Sequence, residues 1–413
     1  MKYVLIIGDG MADDAVEELY GKTPLQYAKT PNMDALARAG ALGSVLTIPE
    51  GMPPGSDTAI LSIFGCDPNE CYTGRAPLEA AASGISLELG DVAYRCNMVT
   101  FEETKNPFEQ KKLLSHSAGS IEGDLSIELI NYLFDNPTFR EAAKIARMEI
   151  HPAPSFRHIA VQKATDISGI ELIPPHDHLG EVTGLLLPKG GKNAAVLENL
   201  MRIAHEVLEA HPENKERRKA GMLQANGIWF WAEGTAAKLP NFRQKYEKSG
   251  GVISAVPLCH GIGALIGLEK IIVEGATGEL ITNYEGKVDA AIGVLQDCDF
   301  VAIHIEAPDE CTHNGDLLEK VKAIEWIDER IVAPVISKLK SASEDFRMLV
   351  ISDHRTLYAT RGHDSGPVPY VIYDSRFNNM TNLSFCEADA KKGRFIALGT
   401  ELMDELFASD KGA

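Results

Sequence analysis

Phe300-Val-Ala-Ile-His-Ile305, running into Glu306-Ala-Pro-Asp-Glu-Cys-Thr-His313, is the stretch whose reading decides the fold. Its first half is an apolar run of strand length and reads as a buried strand. Downstream, Leu317, Leu318, Val321, Ile324, Ile331, Val332, Val335, Ile336 and Leu339 recur at three- and four-residue steps, which predicts one apolar face of a long helix. Met348-Leu-Val-Ile-Ser352 then reads as a second buried strand, and Tyr370-Val-Ile-Tyr373 as a third. Strand, helix and strand in that order make a βαβ unit, so the chain is expected to be α/β with a largely parallel sheet. Tyr3-Val-Leu-Ile-Ile7 supplies a further strand at the N-terminus.

Sites in such folds form beyond the C-terminal ends of the strands. Asp309 and His313, the pair Asp353-His354, and Asp9 within Gly8-Asp9-Gly10 all stand there, with His363 a little further on. Carboxylates and imidazoles gathered in this way suggest a two-metal hydrolytic or phosphoryl-transfer centre. Each motif has a plainer reading. Asp309 and His313 would also suit a solvated turn, Asp353-His354 a helix cap with a surface histidine, and Asp9 an Asx turn, while His363 alone carries little. Ser56, in Pro53-Pro-Gly-Ser-Asp57, is an ordinary loop serine unless a base or metal stabilises its alkoxide. Cys311 falls between Asp309 and His313 and could face the same site.

The bulk composition narrows the possibilities. There are 413 residues, 45% hydrophobic and 24% charged, enough for two ordinary domains. No apolar run approaches the length a bilayer requires, and Met1-Lys2-Tyr3-Val4 enters a strand without a secretory pattern, so the expectation is a cytoplasmic protein with no membrane partner. A formal charge of -19 disfavours nucleic acid and anionic lipid, yet bound cations and a few arginines can still hold a small phosphorylated metabolite. Seven scattered cysteines without a C-x-x-C pair point to free thiols. A helix is predicted over Ala194 to Ala210. The shorter apolar segments and Pro-rich turns of roughly 86–189 predict an inserted domain, with 1–85 and 190–413 forming the core.

Gly8-Asp9-Gly10-Met11, Gly55-Ser56-Asp57-Thr58-Ala59, Tyr72-Thr73-Gly74-Arg75, Arg95-Cys96-Asn97, Pro174-Pro175-His176-Asp177, Glu306-Ala-Pro-Asp309 and Asp353-His354 occur in an order spanning nearly the whole chain. Together they resemble the archaeal-type cofactor-independent phosphoglycerate mutases of the alkaline phosphatase superfamily. The resemblance implies an alkaline-phosphatase-like core with a central, mainly parallel sheet flanked by helices, and an inserted, smaller α+β domain that binds substrate. It implies two divalent metal ions, usually manganese, with zinc, cobalt or magnesium as alternatives. One would be held by Asp9, Ser56, Asp353 and His354, the other by Asp309, His313 and His363. Ser56 would be the transiently phosphorylated nucleophile in the interconversion of 3-phosphoglycerate and 2-phosphoglycerate. Arg75, Arg95, Arg157 and His158 would clamp phosphate or carboxylate, for which the planar guanidinium is suited.

Four positions depart from the family pattern. His260 stands where a lysine is usual, Glu181 follows Gly180 in place of lysine, Glu233 replaces a glutamine, and Ser120 falls where a basic residue is common. His260, in the lysine's place, is expected at the substrate. These changes leave other readings open: a phosphohydrolase or phosphotransferase acting on another small metabolite, for example in a homoserine-kinase-like role, or a non-catalytic relative. The metal and the oligomeric state are open as well.

Overall fold

Val4 to Ile7 are wholly buried because their strand, Lys2–Gly8, lies inside the main sheet. In this computed structural model, which describes residues 1–377 and 379–408, it pairs in parallel with Phe300–Ile305 on one side and Phe346–Ser352 on the other. Gly250–Ile253 and Glu269–Ile271 extend the sheet in parallel beyond Phe300–Ile305. Past Phe346–Ser352 come Val368–Asp374, Ala41–Val45 and Arg394–Ile396, completing eight strands among the described residues. Val368–Asp374 runs antiparallel to both its neighbours, and every other pairing is parallel. The architecture is α/β with a mainly parallel central sheet, as the apolar runs indicated. The shared direction of the three central strands brings the residues after Gly8, Ile305 and Ser352 to one edge.

The helix expected from Leu317 onward is present with an interruption. Leu317–Ile327 passes through a wider π turn, Asp328–Val332, before continuing as Ala333–Ser341. Pro334 has no N–H to return to the preceding turn, which accounts for the local widening. The buried Asp328 carboxylate is satisfied there by the N–H groups of Asn32 and Met33, at 3.2 and 2.6 Å.

The chain divides into two compact units, residues 1–72 with 238–413, and residues 73–237. The second unit is an antiparallel sheet built on Val92–Phe101, which pairs with Leu113–Ser115, Arg157–Gln162 and Gly227–Thr235, and Met148–His151 lies outside Arg157–Gln162. The unit is larger than the segment 86–189 suggested. Strand Gly227–Thr235 returns across about 130 residues of sequence to pair with Val92–Phe101, and helix Ala194–Glu209 packs Leu197, Leu200, Met201 and Ala204 into the same core as Trp229 and Phe230. No helix among the described residues is long and apolar enough to cross a membrane.

Candidate active site

The strand edge of the first unit carries the acidic groups. Asp9 follows Lys2–Gly8, Asp353 follows Phe346–Ser352, and Asp309 lies in helix Ala307–His313, just after Phe300–Ile305. Ser56 opens helix Ser56–Ile63. Gly10 is required between these parts: its φ is +62°, and a Cβ there would come within 2.8 Å of Asp309 Oδ1 and 3.0 Å of its Cα.

Asp353 and Asp9 are each tethered through one oxygen, Asp309 through both. Asp353 Oδ1 accepts the N–H groups of Gly10 and His354 at 3.0 and 2.8 Å, while Oδ2 is buried without a hydrogen-bond partner. Asp9 Oδ2 accepts the Ser56 hydroxyl at 3.3 Å and lies 3.0 Å from His304 Nε2, and Oδ1 has no hydrogen-bond partner. Asp309 Oδ1 accepts the Thr356 hydroxyl at 2.6 Å, with Oδ2 3.1 Å from His313 Nε2.

The imidazoles are oriented from behind in the same way. His313 Nδ1–H donates to the Arg361 carbonyl at 2.9 Å, leaving Nε2 for a cation or for a proton held against Asp309. That nitrogen lies 3.0 Å from His363 Nε2. Thr356 Oγ1, its proton given to Asp309, sits 3.1 Å from His354 Nδ1 and so receives that N–H. His354 Nε2 is thereby left as an acceptor, 3.1 Å from Ser56 Oγ, 3.3 Å from Asp9 Oδ1 and 3.4 Å from Asp353 Oδ2. Acceptors this close repel one another unless protons or cations lie among them. The donor sets Asp309–His313–His363 and Asp9–Asp309–His354, with Asp9–His304–Asp353 beside them, fit divalent ions of the Zn or Mn class. All seven residues expected as ligands therefore lie in one cluster.

The protonation equilibria follow the same geometry. Burial, reinforced by Asp353, Asp309 and Glu306, raises the Asp9 carboxyl well above the carboxylate range. For Asp309 burial acts in the same upward direction, but hydrogen bonds from His313 and His363 outweigh it and hold the group well below that range. The bond to Asp309 pushes His313 up to about 9. Cys311, buried with its thiol pushed up to about 12, belongs to none of the donor sets.

The second unit holds a cationic cluster. Arg95, almost fully buried, sets Nε 2.9 Å from Glu79 Oε2 and its Nη2 on Oε1, and its guanidinium lies 4.6 Å over the Trp231 ring. Arg75 Nε is 3.5 Å from Glu79 with its side chain largely open. Arg157 lies 5.9 Å from the same indole; its Nε is buried with no hydrogen-bond partner, and burial brings its pKa down to about 10. His158 does not join them. It is wholly buried, Nδ1 accepts the Ala153 N–H at 3.0 Å and Nε2 lies 3.2 Å from Ser126 Oγ, so both ring nitrogens are engaged within the core.

Residues 37–214 match the family model described as 2,3-bisphosphoglycerate-independent phosphoglycerate mutase. A protein of that name from Methanosarcina barkeri is 44% identical over 95% of this chain and 96% of its own. A probable 2,3-bisphosphoglycerate-independent phosphoglycerate mutase from Geobacter sulfurreducens is 40% identical over 98% of this chain and 99% of its own. The chain belongs to this family. Among solved structures, a protein from Pyrococcus horikoshii superimposes with a TM-score of 0.81 at 30% identity, covering 100% of this chain and 99% of its own. The cofactor-independent phosphoglycerate mutase of Thermoplasma acidophilum gives 0.66 at 26%, covering 98% and 99%.

Against that family background, the four atypical positions separate. His260 is buried in the first unit on helix Pro257–Leu265, where burial and the charges of Lys270 and Lys287 bring its pKa down to about 4, and it belongs to none of the metal-donor sets. Its Nε2 is buried without a hydrogen-bond partner. Glu181 is exposed and pairs with His178 at 3.0 Å, and Ser120 is exposed with a φ of 57°. Glu233 is half-buried, its pKa raised by burial.

Three further histidines escaped the sequence reading as site residues. His116, whose Nδ1 has no hydrogen-bond partner, and His176 flank the arginine cluster, their rings 6.0 Å apart and that of His176 5.1 Å from Trp231. His304 was read only as part of an apolar strand. A histidine in such a strand, one residue before its end and with its register partner Ile7 two residues before Asp9, was the available signal.

Proposed function

We propose that the chain is a divalent-metal-dependent phosphoglycerate mutase that interconverts 3-phosphoglycerate and 2-phosphoglycerate through a phosphoserine at position 56. The observation that carries the reading is the cluster of Asp9, Asp309, Asp353, His313, His354 and His363 around the Ser56 hydroxyl, with Asp9 Oδ1 and Asp353 Oδ2 left unpartnered. Asp9, Ser56, Asp353 and His354 would hold one ion, and Asp309, His313 and His363 the other, with manganese the first expectation. Bound ions would neutralise phosphoryl oxygens and lower the pKa of the serine hydroxyl.

The protein's own groups account for the rest. The Ser56 hydroxyl lies within reach of two acceptors, Asp9 Oδ2 at 3.3 Å and His354 Nε2 at 3.1 Å, which can take its proton as Oγ attacks phosphorus and the bond from phosphorus to the glycerate oxygen breaks. The released alkoxide takes a proton, and phosphoserine and glycerate result. The other glycerate hydroxyl then attacks the phosphoserine, losing its proton and restoring Ser56, so no co-substrate is consumed. Arg157, with a free buried donor, and Arg75, with an open guanidinium, are the groups for the carboxylate or phosphate, and Glu79 fixes Arg95 beside them. Cytoplasmic residence goes with this reading.

A coupled assay on the Mn2+-loaded protein tests it. Formation of 2-phosphoglycerate from 3-phosphoglycerate, lost in Ser56→Ala, is expected. Release of inorganic phosphate without 2-phosphoglycerate would favour a phosphohydrolase.

A further inference from the structure

We propose that His304 is a positioning residue, held by Ser254, that fixes Asp9 so that its unpartnered oxygen is presented to a metal ion. The inference rests on the reading of Asp9 as a metal ligand. The hydrogen-bond chain has a defined direction. The Val256 N–H donates to Ser254 Oγ at 2.9 Å, and Ser254 Oγ lies 3.0 Å from His304 Nδ1. At the other end, His304 Nε2 lies 3.0 Å from Asp9 Oδ2. As a metal ligand Asp9 is ionised and can only accept, so Nε2 then carries the proton, Nδ1 of the neutral ring is the acceptor, and the Ser254 hydroxyl donates.

Nothing in this arrangement is free to turn. His304, Ser254 and Asp9 are all nearly inaccessible, and the buried Lys287 ammonium donates to the His304 carbonyl at 3.1 Å. The backbone is fixed on the other side too, since the Asp9 N–H donates to the Ile305 carbonyl at 2.9 Å. Asp9 Oδ2 is thus occupied by the His304 N–H and the Ser56 hydroxyl, and Oδ1 alone remains, 3.3 Å from His354 Nε2. A carboxylate oriented through a second hydrogen-bonded group in this manner typically gives about 10–100-fold in metal affinity.

The rival role for His304 is direct ligation, because its Nε2 falls in a donor set with Asp9 and Asp353. The two roles respond differently to substitution. Glutamine can return an N–H to Asp9, whereas leucine cannot. Mn2+ binding by calorimetry to the full chain, after chelation and dialysis, is the measurement, on the unaltered protein, His304→Gln, His304→Leu and Ser254→Ala. The expected result is affinity about 10–100-fold weaker in His304→Leu, weakened to a lesser degree in Ser254→Ala, and largely restored in His304→Gln.

X-ray absorption of the Zn2+-loaded protein is expected to give the same imidazole scattering per zinc in the unaltered protein and His304→Gln. Unchanged Mn2+ affinity in His304→Leu overturns the inference, as does a fall in imidazole scattering in His304→Gln. If His304→Leu fails to fold, the glutamine and serine variants still decide. Failure of the unaltered protein to bind Mn2+ at all would instead remove the reading on which the inference rests.

Discussion

Two buried clusters, one in each unit, leave opposite kinds of polar atom without a partner. In the carboxylate cluster of the first unit the free atoms are acceptors, Asp9 Oδ1 and Asp353 Oδ2, in the neighbourhood of Asp309 and four imidazoles. Around Trp231 in the second they include a donor, the Nε of Arg157, next to a second guanidinium already neutralised by Glu79. An unsatisfied buried group costs about 1–3 kcal/mol, more when charged, so such atoms persist where a ligand completes them. The contrast fits the proposed division of labour, in which the lone pairs would take cations and the N–H groups an anion.

The contrast is sharpened most by Ser56→Ala, which should lower kcat by at least about a thousand-fold while Mn2+ binding to the other ligands survives. Arg157→Met, by comparison, should act on KM, raising it by about 10–100-fold, the worth of one charge-assisted hydrogen bond, with a smaller change in kcat. Equal effects of the two substitutions on kcat alone would break the division of roles. Chelation should lower the melting temperature as well as abolish turnover, since an ion that binds only the folded chain contributes about 4 kcal/mol at a thousand times its Kd. A thermal scan with and without chelator reads this directly.

Those effects belong to ligands, whereas His158 tests the core of the second unit. Burial brings its pKa down to about 4, below the unfolded value near 6.5. The unfolded state therefore binds the proton first, and the stabilisation is complete above about pH 6.5 and lost as pH falls toward 4, by up to about 3 kcal/mol. Replacement by glutamine, which does not titrate, should flatten that window in a pH series of thermal unfolding. The same acid sensitivity in His158→Gln would mean other buried histidines dominate.

The alternation of strands and helices was legible in the sequence because buried parallel strands are written as apolar runs, as in Tyr3–Ile7 and Phe300–Ile305. The clustering of Asp9, Asp309, Asp353 and the imidazoles was legible because carboxylate and imidazole recur together just beyond the ends of parallel strands. Three things were not. The extent of the second unit depends on Gly227–Thr235 pairing with Val92–Phe101, a long-range contact that local pattern does not encode. His158 has the type and spacing of a clamp residue, but its ring faces a core serine, and burial of one side chain cannot be read from its neighbours in sequence. His260 occupies the place of a lysine in the family pattern, yet sequence position alone says nothing of the direction its side chain takes within helix Pro257–Leu265.

The account turns on Ser56 becoming phosphorylated within the acceptor cluster. Rapid acid quench of the Mn2+-loaded protein with 3-phosphoglycerate, followed by peptide mass spectrometry, should find phosphate on Ser56 while 2-phosphoglycerate accumulates. Accumulation of 2-phosphoglycerate at full rate by Ser56→Ala, or phosphate on another residue with Ser56 bare, would contradict it.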